Sequence, residues 1–342
     1  MRVRTAVVGV GHMAQNHLPN LARFEDVDLV ALCDVSEERL HATARHYNVP
    51  SVYTDLTQML DGERLDCVFI ITPEWLHAVQ SIECIRRGLD VFCEKPPSHN
   101  LEESKRMAEE AGNSGKMLAL GFNRRFSVNA VKEAFSEHPP QMCVAEFIRP
   151  VDEYRPLING SIHALDTLIY ICGEPRSAAA VATYSDPEKH ECIAASIEFA
   201  NGALATLASG YGTQTSAERL SVYGHGVAVW WSRSGVTVRR GETEESFEIG
   251  DSVRLEDRHF IDCVKGEDEP ISTIDDAVVT MEWAHRILAA AGINISAAPR
   301  TGRGYLQWCP YCGADIVAYE EQCISCGREL GAWSIPIEAM VE

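Results

Sequence analysis

The stretch VVGVGHMAQNH, residues 7–17, constrains the fold more than any other. A β-branched apolar run ends at Gly9, and a helix-like pattern begins a few residues later. Between them lies Gly9-x-Gly11-x-x-Ala14. Gly9 allows a tight turn, Gly11 lets the backbone approach a pyrophosphate, and Ala14 lets a helix pack close to a sheet. His12 and Met13 complete the loop at the helix N-terminus, where backbone N–H groups and the helix dipole attract phosphates. An ordinary strand–turn–helix can carry the same glycines. Asp34 favours the nucleotide: it ends the next strand-like run, twenty residues past Ala14, where a carboxylate accepts from adenosine ribose hydroxyls. A carboxylate repels a 2′-phosphate, so NAD is expected ahead of NADP, with Arg39 nearby as the counter-signal.

The chain downstream suits such a loop. TAVVGV, VDLVALCD, LDCVFIIT, LDVFCE and MLALGFNRRF alternate with helical patterns, as in a parallel sheet wound by helices. Beyond residue 140, β-like runs from MCVAEFIRP to VTVRRG are separated by Gly, Asn and Ser, the pattern of a mainly antiparallel sheet with one covered face. Two helical patterns follow, DRHFIDCVKG and DDAVVTMEWAHRILAAAG. The expected class is α/β. A doubly wound Rossmann domain spans 1–122, and an α+β substrate and oligomerisation domain with a large mainly antiparallel sheet spans 123–292. A linker and small tail occupy 293–342. A length of 342 residues suits about two cores.

Fifty acidic residues against 30 basic ones give a net charge of −20. That balance argues against nucleic acid, whose phosphates demand the opposite sign. It describes a solvated, self-repelling surface, or a field that attracts a cationic substrate. No apolar run nears the ~18 residues of a membrane helix. The opening MRVRTAVVGVGH reads as a strand and not as a secretory signal, so a cytoplasmic location is expected. Eight cysteines lie singly in apolar stretches, where a free thiol behaves as a small buried hydrophobe.

Several motifs together resemble the Gfo/Idh/MocA oxidoreductases. They are the glycine loop, TPEWLH (72–77), EKP (94–96), GFNRRF (121–126) and GSIHALDTLIYICGEP (160–175). The resemblance covers residues 1–292. It implies that Thr72, Pro73 and His77 form a turn beside the nicotinamide, with Glu94 close by. It also implies that Lys95 reaches the active site from a cis Lys-Pro peptide, and that His163 is the catalytic histidine. Family members carry an Asp four residues before that histidine, where this chain has Asn159. An amide can orient an imidazole but cannot stabilise its cation as a carboxylate does, which shifts proton transfer toward Lys95. Asn123, Arg124 and Arg155 are expected sugar contacts. Asp166 is expected to be a structural cap or a supporting partner.

The tail carries CPYCG (309–313) and CISCG (323–327). Four thiolates from two tight CxxC turns match tetrahedral zinc, so Cys309, Cys312, Cys323 and Cys326 are expected to hold a structural Zn²⁺ in a ribbon. A pair of redox disulfides is the alternative. The ribbon is not a usual part of the family, and a protein contact or a cover over the substrate cleft suits its charge better than nucleic acid.

The expected activity is NAD-dependent oxidation of a ring secondary alcohol of a sugar or cyclitol. The amino-sugar or aminoglycoside version rests on the net charge, the family, and carboxylates in the substrate-side segments, among them Asp152, Glu153, Asp166 and the GETEESFEIGD run. The alternative is a catalytically weak NAD-binding protein whose ribbon recruits a partner. A homo-oligomer formed through the antiparallel sheet is expected.

Overall fold

The computed structural model describes residues 2–98, 100–150, 156–183 and 192–293. The described chain divides into two units, one built from Met1–Gly121 and Val253–Val278, the other from Phe122–Ser252 and residues 279–293.

In the first unit the strands are β1 (Val3–Val8), β2 (Val27–Cys33), β3 (Ser51–Tyr53), β4 (Cys67–Ile70), β5 (Asp90–Cys93) and β6 (Leu118–Leu120). The helices α1 (Ala14–Leu21), α2 (Glu37–Tyr47), α3 (Leu56–Gly62), α4 (Glu74–Arg86) and α5 (Leu101–Ser114) connect them. Strand pairs are parallel, in the order β3-β2-β1-β4-β5-β6. All four residues of β4 are buried, as expected of a strand covered on both faces. The chain turns back across β1, which pairs with β2 on one side and β4 on the other. Doubly wound sheets bind ligands at the carboxyl end of such a switch point. β3 and α3 escaped the sequence reading because a three-residue strand carries no usable periodicity.

The second unit begins with the short helices α6 (Arg124–Ser127) and α7 (Asn129–Ala134), then β7 (Met142–Ile148), α8 (Pro156–Asn159) and α9 (Ile162–Cys172). Seven strands follow: β8 (Pro175–Thr183), β9 (Cys192–Phe199), β10 (Leu204–Gly210), β11 (Ala217–Gly224), β12 (Val227–Ser232), β13 (Gly235–Arg240) and β14 (Thr243–Phe247). The sheet order is β14-β13-β12-β11-β7-β10-β9-β8, antiparallel except for the parallel β7–β10 pair. Along β9, Ile193, Ala195, Ile197 and Phe199 are buried and alternate with more open positions, the signature of one covered face. β14 is exposed throughout and acidic, which protects a sheet edge from further pairing.

The chain then returns to the first unit with α10 (Ser252–Val264). Phe260 lies 5.1 Å from Phe69 and 5.7 Å from Phe92, ring centre to ring centre, and Ile261 is fully buried in the same cluster. The next segment covers the edge of β6. Leu120 donates its N–H to the Ser272 carbonyl (3.0 Å), and Ala119 bridges to Thr273. By its contacts, Val253–Val278 groups with the residues of the Rossmann sheet. Helical periodicity shows that α10 buries a face, but not which sheet receives it. The last long helix, α11 (Ile274–Ala290), crosses the boundary between the two sets of residues. Of the eight scattered cysteines, six are buried, Cys263 is half-buried and Cys192 is exposed. Among the described residues no helix is long and apolar enough to cross a membrane.

Candidate dinucleotide and substrate sites

The glycine loop sits at the carboxyl end of β1. Gly9 has φ +88°, and a Cβ there would stand 2.6 Å from the Ile71 carbonyl oxygen, so both conformation and space exclude a side chain. A Cβ on Gly11 would meet no protein atom within 4 Å. The space over Gly11 is open, as a pyrophosphate approaching the backbone requires. His12 and Met13 are exposed beside it, while Ala14 is fully buried at the start of α1. Asp34 faces this loop. Its Oδ2 accepts the Val10 N–H (2.8 Å), and its Oδ1 accepts from the Ser36 N–H and the Arg39 guanidinium, each at 2.8 Å. A carboxylate offers about four lone-pair sites, so room for a ribose hydroxyl remains even with Arg39 in place.

Two further strand ends reach the same edge of the sheet. After β4, Thr72 donates its hydroxyl to Gln80 (2.6 Å), and Pro73 opens α4. His77 is buried, with Nε2 at 2.7 Å from the Thr72 carbonyl and Nδ1 at 2.8 Å from the Pro96 carbonyl. Burial disfavours the charged ring, but Cys93 and the two carbonyls outweigh it, and the pKa is raised to about 9. Each carbonyl can only accept, and a neutral imidazole has one N–H for two acceptors, so the pair favours the doubly protonated ring. His77 thus ties the turn after β4 to the turn after β5.

That second turn is Glu94-Lys95-Pro96, with a cis Lys95–Pro96 bond. Lys95 is half-buried, whereas Glu94 is buried beneath it. Glu94 Oε2 accepts the Lys95 N–H (2.9 Å), and its Oε1 accepts from His17 Nε2 (3.1 Å). On the other ring nitrogen, His17 Nδ1 donates to Asp257 on α10 (2.6 Å), whose second oxygen accepts from Asn20 (2.8 Å). Two carboxylates each require an N–H, so the ring is an imidazolium. Burial opposes that charge, but Asp257 and Glu94 together raise His17 well above its ordinary pKa. Burial would lift Glu94, yet His17 holds it below the usual carboxylate range. Burial also lifts Asp257, and the shared proton belongs on His17 because Glu94 takes its opposite N–H. A Cβ on Gly121 would stand 3.1 Å from the Glu94 carboxyl carbon, so GFN begins with glycine to leave room for the EKP turn.

In the second unit, His163 lies in the first turn of α9, four residues after Asn159 ends α8. The Ser161 and Ser209 hydroxyls, 2.6 Å apart, fasten the start of α9 to β10. His163 stands edge-on to Phe122, 6.2 Å between ring centres, and lines a small cavity with Arg124, Phe147, Glu218 and Trp231. Asn123 accepts from Arg124 Nη1 (2.9 Å). Asp166 is fully buried, and its carboxylate accepts from Arg125 Nε (2.9 Å) and Nη2 (2.7 Å).

The sequence reading missed His17, Asp257, Glu218, Arg149 and Arg233. His17 closes the quoted glycine motif and was there to be noticed. The others are joined only by strand register or by the return of α10. Arg155 and the tail cysteines Cys309, Cys312, Cys323 and Cys326 lie outside the described residues. Among the described residues no cluster of three or more His, Cys, Asp or Glu has a metal-binding arrangement.

Sheet order, glycine loop and Asp34 define a Rossmann dinucleotide-binding protein with a second α/β unit. Comparison with known proteins agrees: an oxidoreductase family's NAD-binding Rossmann fold matches residues 3–122, and its C-terminal alpha/beta domain matches residues 156–292. The chain belongs to the Gfo/Idh/MocA oxidoreductase family. It is 31% identical to myo-inositol 2-dehydrogenase of Thermotoga maritima over 50% of this chain and 55% of that protein, so it spans about half that relative's length. It is 26% identical to scyllo-inositol 2-dehydrogenase (NAD(+)) of Bacillus subtilis over 82% of this chain and 92% of the relative. The fold matches that of UDP-N-acetylglucosamine 3-dehydrogenase from Acidithiobacillus ferrooxidans with a TM-score of 0.78 at 20% identity, covering 86% of this chain and 99% of that one.

Proposed function

We propose that the chain is an NAD-dependent dehydrogenase that oxidises a ring secondary alcohol of a sugar or cyclitol to a ketone. The balance is R₂CHOH + NAD⁺ → R₂C=O + NADH + H⁺. The bound cofactor accepts the hydride, and the protein orients the carbinol carbon and takes the hydroxyl proton. In this reading Gly9, Gly11, His12, Met13 and Ala14 hold the pyrophosphate and Asp34 the ribose. Thr72, Pro73, His77 and Glu94 shape the nicotinamide end. Lys95 and His163 handle the proton, Asn159 orients His163, and Asn123, Arg124 and Arg155 meet the substrate. The observation that carries it is the convergence of the open space over Gly11, the Asp34 carboxylate and the braced Lys95 turn on one edge of the parallel sheet. The named inositol dehydrogenases among the relatives support the substrate class.

NAD is favoured over NADP because Asp34 faces the glycine loop, although Arg39 beside it suits a 2′-phosphate. The amino-sugar version finds less support in the described cavity, where the carboxylate of Glu218 is already engaged by arginines. A zinc ribbon at Cys309, Cys312, Cys323 and Cys326 remains part of the reading, on spacing alone. Purified protein mixed with NAD⁺ and a panel of inositols and sugars should show rising absorbance of reduced nicotinamide with at least one of them. Tight NAD⁺ binding with no turnover across the panel would favour the alternative, a cofactor-binding protein that recruits a partner through its tail.

A further inference from the structure

Glu218 has three arginine partners. Arg124 grips it with Nε and Nη2 in a fork, Arg149 donates Nη2 at 2.7 Å, and Arg233 donates Nε at 2.6 Å. Strand register builds this cluster. Glu218 on β11 pairs with Phe147 on β7, and Arg219 pairs with Ser232 on β12. With a side-chain period of two, Phe147, Arg149, Glu218, Trp231 and Arg233 share the helix-covered face of the sheet. The cavity beside the cluster is lined by His163, Arg124, Arg219, Glu146 and Glu218, so of the three arginines on Glu218 it is Arg124 that reaches the cavity wall, with Arg149 and Arg233 behind the Glu218 carboxylate.

One carboxylate saturates one arginine fork, so a purely structural clamp needs only Arg124. Arg149 and Arg233 are surplus cations among the described residues of this cluster. The surplus costs free energy, because Arg124 and Arg149 keep only 12% and 17% of their side chains exposed, and half-buried like charges repel. It is also held in a chain whose net charge is −20. Glu218 stays ionised, since burial would raise it but the guanidinium groups hold it at about 2, and its single negative charge offsets one of the three positive ones. The groups that would relieve the surplus are oxyanions, which guanidinium forks match in shape and charge.

We propose that the second unit holds an anion subsite, formed by Arg124, Arg149 and Arg233 around Glu218, that selects a substrate carrying a carboxylate or phosphate besides its reacting hydroxyl. This deepens the dehydrogenase reading and rests on it for the word substrate. It reverses the polycation expected from net charge, because guanidinium groups gathered on Glu218, with Arg124 at the cavity wall, act at closer range than a screened surface field.

The test is calorimetric titration of the full chain, with and without NAD⁺, by D-glucuronate, D-glucose 6-phosphate, D-glucose and D-glucosamine. An anionic sugar should bind about tenfold or more tightly than glucose, with glucosamine weakest. Raising salt from roughly 0.05 to 0.5 M should shrink that gap. R233Q, at a position 61% exposed and so tolerant of change, should narrow it severalfold. Preference for glucuronate assigns a carboxylate, and preference for glucose 6-phosphate assigns a phosphate. Equal binding of charged and neutral sugars overturns the subsite, as does failure of both anionic sugars to bind or full preference in R233Q. Titration by NAD⁺ alone tests the dehydrogenase reading separately. Anion preference in a protein that ignores NAD⁺ would sink that reading and keep this one.

Discussion

Lys95 leaves β5 on a turn whose geometry is set by its neighbours. Glu94 takes its N–H, and the Pro96 carbonyl is tied to His77. In the proposed reaction, a turn braced in this way presents Lys95 to the substrate proton with little loss of entropy. Lys95→Ala should lower kcat by roughly 10²–10⁴-fold, the range of a general acid–base group. NAD⁺ affinity, followed by fluorescence quenching, should survive, since the proposed phosphate site is the separate loop of Gly9 to Ala14. His163→Ala should lose less, because Asn159 supplies no carboxylate to stabilise an imidazolium. Steady-state rates of both variants settle the order, and a deader histidine variant would reverse this division of labour. Lys95 and His163 could be proposed from the sequence because each sits inside a local motif. Arg149 and Arg233 were not, because nothing local marks an arginine whose partner lies on another strand.

At the scale of elements, His17 fastens α1 to the turn after β5 and to α10, with Glu94 on one nitrogen and Asp257 on the other. Removing one member of a buried ion pair costs roughly 3–5 kcal/mol because the partners keep their charge without compensation. His17→Gln should lose about that much at neutral pH, read by urea unfolding. The pH dependence has a definite sign. A histidine whose folded pKa is raised contributes its full stability below its unfolded value near 6.5, and loses it as pH rises through the folded value. Glu94, lowered in the fold, contributes above its ordinary pKa and loses its share as pH falls through the depressed value. The wild type should therefore weaken between neutral and alkaline pH more steeply than His17→Gln. His77, raised to about 9, adds a slope of the same sign to both proteins and cancels in the comparison. Parallel pH profiles for the two would mean that His17 is neutral in the fold.

For the whole molecule, the four tail cysteines make a prediction that needs no structure of the tail. Two CxxC turns suit one tetrahedral Zn²⁺, so elemental analysis of protein purified without chelator should give about one zinc per chain. Replacing Cys309 and Cys312 together with serine should remove it. No metal in the unaltered protein would leave paired disulfides as the reading of those motifs.

What the sequence by itself determined was local. The Gly9–Ala14 loop, Asp34 twenty residues on, the strand–helix alternation and the EKP and GSIH motifs each depend on neighbours within a turn or a strand. Hydrophobic periodicity and turn chemistry are short-range physics, and they identified the Rossmann half and the antiparallel half. Only the tertiary structure decided which distant residues meet. Sheet register gathered Arg149 and Arg233 around Glu218, and helix α6 brought Arg124 to the same carboxylate. The return of α10 carried Asp257 to His17 across 240 positions of sequence. Such contacts are chosen by which buried surfaces and charges satisfy each other once the chain has closed its long loops, and no short stretch of sequence carries that information.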